Sequence, residues 1–417
     1  MDYIDLKYKP NKYDLICEYY VEPNAISMKK VCNDIAAESS IGTWTSVKTM
    51  SEDIMKLRAR VFNIKDKYIK IAYPCELFEL GNMPEILSSV AGNIFGMKSV
   101  KNLRLMDIEF PKKIINSFKG PKFGIDGIRK FLGIKKRPLV GTIIKPKIGL
   151  NTKKHAKVAY EAWLGGCDLV KDDENLSNQN FNLFKKRVIE TLKLKEKAEK
   201  ETGEKKAYLP NITAETNEMI KRGEFVKKNH GNYLMLDIIT LGWSSLQTVR
   251  NKEFNLPIHA HRAGHAILTR NKKHGISMLV IAKIARLIGV DSLHIGTAIG
   301  KMEGSKNEIY DIEEDIEKSL IKENKKEHFL EQKWYNIKPA MAVCSGGLHP
   351  RLVPKLINIM GNNIIIQAGG GIHGNKYGTI GGARAMRDSI EAYIKKIPIA
   401  EYAKNHKELK AALEQWK

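Results

Sequence analysis

Three things are scarce in this chain of 417 residues: cysteine, acid and long apolar runs. The five cysteines, Cys17, Cys32, Cys75, Cys167 and Cys344, are scattered, odd in number and never spaced as Cys-x-x-Cys. That pattern argues against a disulfide frame or a zinc knuckle and implies free thiols in a reducing compartment. No apolar run reaches the roughly 18 residues of a membrane-crossing helix. The opening MDYIDLKYKP puts no apolar core behind a basic end, so no secretory signal is expected and the expected location is cytoplasmic. Acids are outnumbered, 47 against 70 Lys and Arg, for a formal charge of +23. Such an excess suits a polyanionic partner, or else a lysine-rich solvated surface around a phosphorylated substrate. FKKRVIETLKLKEKAEKETGEKK (184–206) mixes lysine with glutamate at helical spacing, as an exposed helix face does. No basic block is interleaved with aromatics, so neither nucleic acid nor a membrane is an expected partner.

What the chain does have is rhythm. From residue 138 onward eight apolar, β-rich runs recur: PLVGTII (138–144), CDLVK (167–171), KAYLPNIT (206–213), YLMLDII (233–239), LPIHAH (256–261), DSLHIG (291–296), AMAVCS (340–345) and NIIIQAG (363–369). Segments of helical period separate them, such as Ala156, Ala159, Tyr160, Trp163 and Leu164. Near-continuous apolar strands alternating with amphipathic helices indicate a parallel sheet covered on both faces, and eight units indicate a closed (β/α)8 TIM barrel. Residues 1–120 read differently, with alternating stretches at 14–23 and 67–74 and a helical SMKKVCNDIAAES at 27–39. The expectation is an α/β protein: a small α+β N-terminal domain over 1–120, then a barrel with a C-terminal helical tail over 121–417. The polar stretch 305–338 reads as an exposed helix and excursion.

Chemistry in such a barrel gathers at the C-terminal strand ends. The unusual polar residues fall there. The first strand runs into Lys145 and Lys147, and the second into Lys171, Asp172, Asp173 and Glu174. The fifth ends in His259, His261 and Arg262. The sixth carries His294 and leads into a loop with Lys301, while the seventh and eighth end in Ser345-Gly346-Gly347 and Gln367-Ala368-Gly369-Gly370. Glycine-rich ends expose backbone N–H groups able to cradle phosphate. The histidines of HAHRAGHA have no acid in their own loop, which weakens a zinc reading. Asp173 and Glu174 offer the hard oxygen ligands that Mg2+ prefers, but a protonated lysine beside them would repel the metal. Converted to an anionic oxygen group, that lysine would instead be a third ligand; residue chemistry alone leaves the conversion unnamed.

The segments AAESSIGTW (36–44), AGNIFGMK (91–98), KPKIGL (145–150), GGCDLVKDDEN (165–175), HAHRAGHA (259–266), HIGTAIGKMEG (294–304), SGGLHP (345–350) and QAGGGIHG (367–374) resemble the large subunit of ribulose bisphosphate carboxylase/oxygenase (Rubisco), in its archaeal-type form III. The resemblance implies that Lys171 takes up an activator CO2 as a carbamate and binds Mg2+ with Asp173 and Glu174. It implies carboxylation of ribulose 1,5-bisphosphate to two molecules of 3-phosphoglycerate, with O2 as competitor. Catalytic roles fall to Lys145, Lys171, His261 and Lys301. Substrate would be bound by Lys147, Arg262, His294, Ser345, Gly346, Gly347, Gln367, Ala368, Gly369 and Gly370. Glu38, Thr43, Trp44 and Asn93 would complete the site of a neighbouring subunit, so a homodimer or an oligomer of dimers is implied, with no small subunit. The bisphosphate would come from nucleotide (AMP) salvage or a CO2-fixing cycle. Ile143 departs from the family's frequent threonine. The rival within the fold is a Rubisco-like enolase or isomerase that does not carboxylate; the rival outside it is a non-catalytic polyanion binder, for which the KDDE cluster has no use.

Overall fold

The computed structural model describes residues 2–43, 45, 47–299 and 306–416. Its strands, in chain order, are β1 (Asp14–Pro23), β2 (Arg60–Lys65), β3 (Tyr68–Pro74), β4 (Val100–Glu109), β5 (Leu139–Ile143), β6 (Leu169–Lys171), β7 (Ala207–Leu209) and β8 (Leu234–Asp237). They continue with β9 (Ile258–His261), β10 (Gly275–Ile276), β11 (Ser292–Gly296), β12 (Leu320–Ile321), β13 (Gln332–Lys333), β14 (Met341–Ser345) and β15 (Ile364–Gln367). Packing divides the chain into two units. One comprises Met1–Gly120, Gly264–Ile288 and Lys318–Ile337, and the other Pro121–Ala263, Gly289–Glu317 and Lys338–Lys417.

The first unit is built on a mixed five-stranded sheet, ordered β10-β4-β1-β3-β2, with β10 the parallel member. β1 is central because nearly every residue of DLICEYYVEP is buried, which leaves it no solvated face. Asp66, at φ +53, makes the tight turn that folds β2 onto β3. The helix Met28–Glu38 starts where the Ser27 hydroxyl accepts from Lys30 N.

The stretch 305–338 is not the exposed excursion its charge suggests. Ile309, Ile312 and Ile316, at helical spacing, are buried in the second unit, and Gln332 and Trp334 are fully buried in the first. The Trp334 ring lies 4.3 Å from the Arg286 guanidinium, and the Gln332 amide accepts from Phe110 N. The abundance of charge hid a sparse apolar stripe, since only three such residues are needed to bury one helix face.

In the second unit all pairings are parallel and the order is β7-β6-β5-β15-β14-β11-β9-β8. Just past β7, Asn211 bridges Met235 of β8 and closes the ring into a barrel. Helix Gly124–Leu132 presses Ile125, Ile128 and Leu132 onto the strand starts, at Leu139, Leu169, Met341 and Ile365 among others. Burying each such side chain contributes roughly 1.5–3 kcal/mol. This plug fills the N-terminal mouth of the barrel and leaves the opposite rim for chemistry.

Candidate active site

β6 ends at Lys171, and the chain turns so that three consecutive acids take different directions. Asp172 points into the wall. Its carboxylate accepts from Tyr208 OH at 2.7 Å, Asn211 N at 3.0 Å and Arg187 Nε at 3.1 Å, and faces His155 Nε2 at 3.0 Å. Burial opposes its charge, but Arg187 and His155 outweigh that and hold it well below the carboxylate range. Asp172 is therefore scaffold.

Lys171 is fully buried on the barrel side. Its Nζ donates to the Asp172 carbonyl at 2.9 Å and to Glu174 Oε2 at 3.3 Å, and lies 3.6 Å from Met235 Sδ. Burial pulls its pKa below the ordinary lysine value, although Glu174 and Asp173 work the other way. Burial also resists ionisation of Glu174, but Lys171 and His261 bring its carboxyl down to about 2. Asp173 Oδ2 meets Lys145 Nζ at 3.0 Å, and Lys147 Nζ stands 3.7 Å from Glu174 Oε1. Two carboxylates and one buried amine thus converge, with Lys145 and Lys147 alongside.

Around them the strand ends supply the other groups. His261 Nδ1 is 3.1 Å from Asp237 Oδ1, and its Nε2 is 3.6 Å from Glu174 Oε2. A buried chain runs from Tyr233 OH to Ser292 Oγ (3.0 Å), His259 Nδ1 (3.0 Å), across to His294 (2.9 Å) and on to Ser345 Oγ (2.8 Å). Both histidines are held well below the usual imidazole pKa, first by burial and then by neighbouring basic side chains, Lys171 among them, which favours their neutral forms. Because His259 and Ser345 occupy the two ring nitrogens of His294, contact with a phosphate requires one of those bonds to be exchanged. The Arg262 guanidinium, brought down to about 10 by burial, is packed against Gly296, where any Cβ would sit 2.7 Å from Nη2.

The glycine-rich ends of β14 and β15 touch: a Cβ on Gly371 would lie 2.1 Å from the Leu348 carbonyl oxygen. Gly369 likewise makes room for Lys145, whose Cε is 3.1 Å from where a Cβ would be. Both amide atoms of Gln367 are buried with no hydrogen-bond partner among the described residues, which marks a place for a polar ligand.

Lys145, Lys147, Lys171, Asp173, Glu174, His261, Arg262, His294, Ser345 to Gly347 and Gln367 to Gly370 all belong to this one barrel unit. In the other unit Asn93 Nδ2 donates to Glu38 Oε1 at 3.2 Å, and Glu38 and Thr43 line a cleft of about 880 Å3. Trp44 and Lys301 lie outside the described residues. Sequence reasoning passed over Asp237, which holds His261; its signal was a lone acid ending the apolar run YLMLD. It placed His259 at the rim without giving it a role, where the structure sets it against His294, and it passed over His373, which bonds the end of β5. Among the described residues no cluster of three or more His, Cys, Asp and Glu is placed to hold a metal ion.

Both units of the chain match known proteins. Residues 124–416 match the catalytic domain, and residues 2–114 the N-terminal domain, of the ribulose bisphosphate carboxylase large chain. A protein of Methanocaldococcus jannaschii named ribulose bisphosphate carboxylase is 52% identical over the full length of both chains. One of Methanosarcina mazei with the same name is 51% identical over 100% of this chain and 99% of its own. Among solved structures, a dimeric archaeal Rubisco from Hyperthermus butylicus superposes with a TM-score of 0.95 at 44% identity, over 99% of this chain and 98% of its own. An octameric enzyme from Pyrococcus horikoshii, in complex with sulfate, gives 0.94 at 46% identity, over 99% and 96%. The chain belongs to the ribulose bisphosphate carboxylase large-chain family.

Proposed function

We propose that this protein carboxylates D-ribulose 1,5-bisphosphate with CO2 to two molecules of 3-phosphoglycerate, with oxygenation by O2 as a competing reaction. The observation that carries the reading is a fully buried lysine amine in contact with the Glu174 carboxylate and within the electrostatic reach of Asp173. Burial favours the neutral amine, and only the neutral amine attacks CO2. An N–C bond forms, a proton leaves, and a misplaced cation becomes an anionic oxygen donor. The carbamate of Lys171, with Asp173 and Glu174, then makes an all-oxygen set suited to Mg2+. Bound there, Mg2+ would supply Lewis-acid polarisation of the substrate carbonyl.

The remaining steps fall to the chain's own groups. The carbamate oxygen of Lys171 takes the C3 proton. Lys145, close to Asp173, delivers a proton to the carbanion left by C–C cleavage. His261, oriented by Asp237, relays protons during hydration of the carboxylated intermediate. Arg262 takes one phosphate, joined by His294 when Ser345 turns to the substrate. The unpartnered Gln367 amide and the backbone of Gly369 and Gly370 hold the other end, with Lys147 at the rim. Lys301 stabilises the new carboxylate. Glu38, Thr43, Trp44 and Asn93 complete the site of a second copy, so the working unit is at least a homodimer without a small subunit; relatives include a dimer and an octamer.

Enolisation without carboxylation has no observation in its favour, because every residue given a proton or the metal is present. Labelled bicarbonate, ribulose bisphosphate and Mg2+ are expected to give labelled 3-phosphoglycerate. Consumption of the bisphosphate with no label in the product would refute the proposal.

A further inference from the structure

We infer that His373 is a positioning residue that sets Lys145 for proton delivery by bonding the strand end from which that lysine hangs; the inference rests on the role proposed for Lys145.

His373 follows the glycine run after β15, yet its imidazole reaches back to β5. Its Nε2 lies 2.9 Å from the Ile143 carbonyl oxygen and 3.0 Å from Thr142 Oγ1, and its Nδ1 lies 3.1 Å from Thr379 Oγ1. These contacts fix the tautomer. A carbonyl only accepts, and the single Thr142 hydroxyl proton goes to the Ala368 carbonyl at 2.7 Å. Both oxygens facing Nε2 are therefore acceptors, Nε2 carries the hydrogen, and Nδ1 accepts from Thr379. Burial, and then the Lys145 charge, hold the ring near a pKa of about 4, so it stays neutral under working conditions.

Ile143 is the last residue of β5 and stands two before Lys145. Thr142 Oγ1 also approaches its carbonyl, at 3.4 Å, so the imidazole at 2.9 Å is the nearer side-chain partner. On the other side, Ile144 N donates to the Lys171 carbonyl at 3.2 Å, so the peptide leading to Lys145 is gripped from both neighbouring strand ends. The glycine loop has its own supports: Ala368 N to Gly141 O at 3.0 Å, and Ile372 N and His373 N to Gly369 O at 2.9 and 3.0 Å. Losing the imidazole therefore loosens Lys145 while leaving the phosphate cradle in place.

A displaced acid has a chemical signature. C–C cleavage leaves an electron pair on C2 of the upper product, and a proton from Lys145 Nζ converts it to 3-phosphoglycerate. If that proton is late, the pair forms a C2=C3 bond and expels the C3 phosphate, giving inorganic phosphate and an enol that becomes pyruvate.

His373→Leu is expected to cut kcat about tenfold, to change KM for ribulose bisphosphate by less than about threefold, and to raise the pyruvate-to-3-phosphoglycerate ratio several-fold. His373→Gln, whose amide reaches the same carbonyl, is expected to return the ratio toward wild type. If His373→Leu does not fold, Thr379→Val decides, because loss of the hydroxyl on Nδ1 is expected to raise the ratio to a smaller extent. An unchanged ratio in His373→Leu, or in Thr379→Val where it decides, overturns the inference while wild type remains active. Wild type that makes no 3-phosphoglycerate overturns the functional reading itself.

Discussion

Lys171 and Asp172 are neighbours in sequence and equally buried, yet their environments assign them opposite duties. The lysine has one carbonyl at 2.9 Å and a looser contact of 3.3 Å to one carboxylate, while the aspartate is saturated by four partners. Asp172→Ala would leave Arg187 charged and uncompensated in the interior, a loss of about 3–5 kcal/mol, read as a lower urea midpoint. Lys171→Ala should abolish activity with little change in that midpoint. A second residue-scale consequence concerns Glu109, on β4. Burial raises its pKa to about 7; Glu331 and Asp107 add to the rise and Lys283 partly offsets it. Between an ordinary carboxyl pKa near 4.5 and this value, the folded state keeps a proton that the unfolded state has released. Stability therefore falls as pH rises through that window. Glu109→Gln escapes this fall and should exceed wild type in Tm by several degrees more at pH 8 than at pH 5. An equal difference at both values would contradict the assignment.

At the scale of elements, the eight barrel strands were legible because each is a short apolar run buried on both faces, a pattern that polar loops interrupt cleanly. The rim residues were legible for the same reason: a charge ending such a run has few structural uses. Links that join two distant strand ends were not legible. Asp237 with His261, His259 with His294, and His373 with Ile143 lie 24, 35 and 230 positions apart, and only barrel closure brings them together. The segment 305–338 misled through its charge, since burial depended on a few apolar positions. The loop after β11 carries a further test. Lys301→Ala should leave C3 proton exchange largely intact while carboxylation falls by at least about tenfold; equal loss of both would remove Lys301 from the carboxylation step.

At the scale of the molecule, the expectation that two copies share each site leads to complementation. Lys171→Ala and Glu38→Gln should each be inactive as pure assemblies. Mixed by co-expression, random pairing makes half the dimers heterodimers, each with one intact site, and about a quarter of wild-type activity should return. No recovery would contradict a shared site. The charge of +23 fits this frame as the field around a doubly phosphorylated substrate, and no helix among the described residues is long and apolar enough to cross a membrane.

The central claim is that a buried amine captures CO2, and carbon NMR tests it directly. With labelled CO2 and Mg2+, wild type should show one slowly exchanging carbamate resonance per chain, absent from Lys171→Ala. A fully active wild type with no such resonance, or the same resonance surviving in Lys171→Ala, would contradict the account.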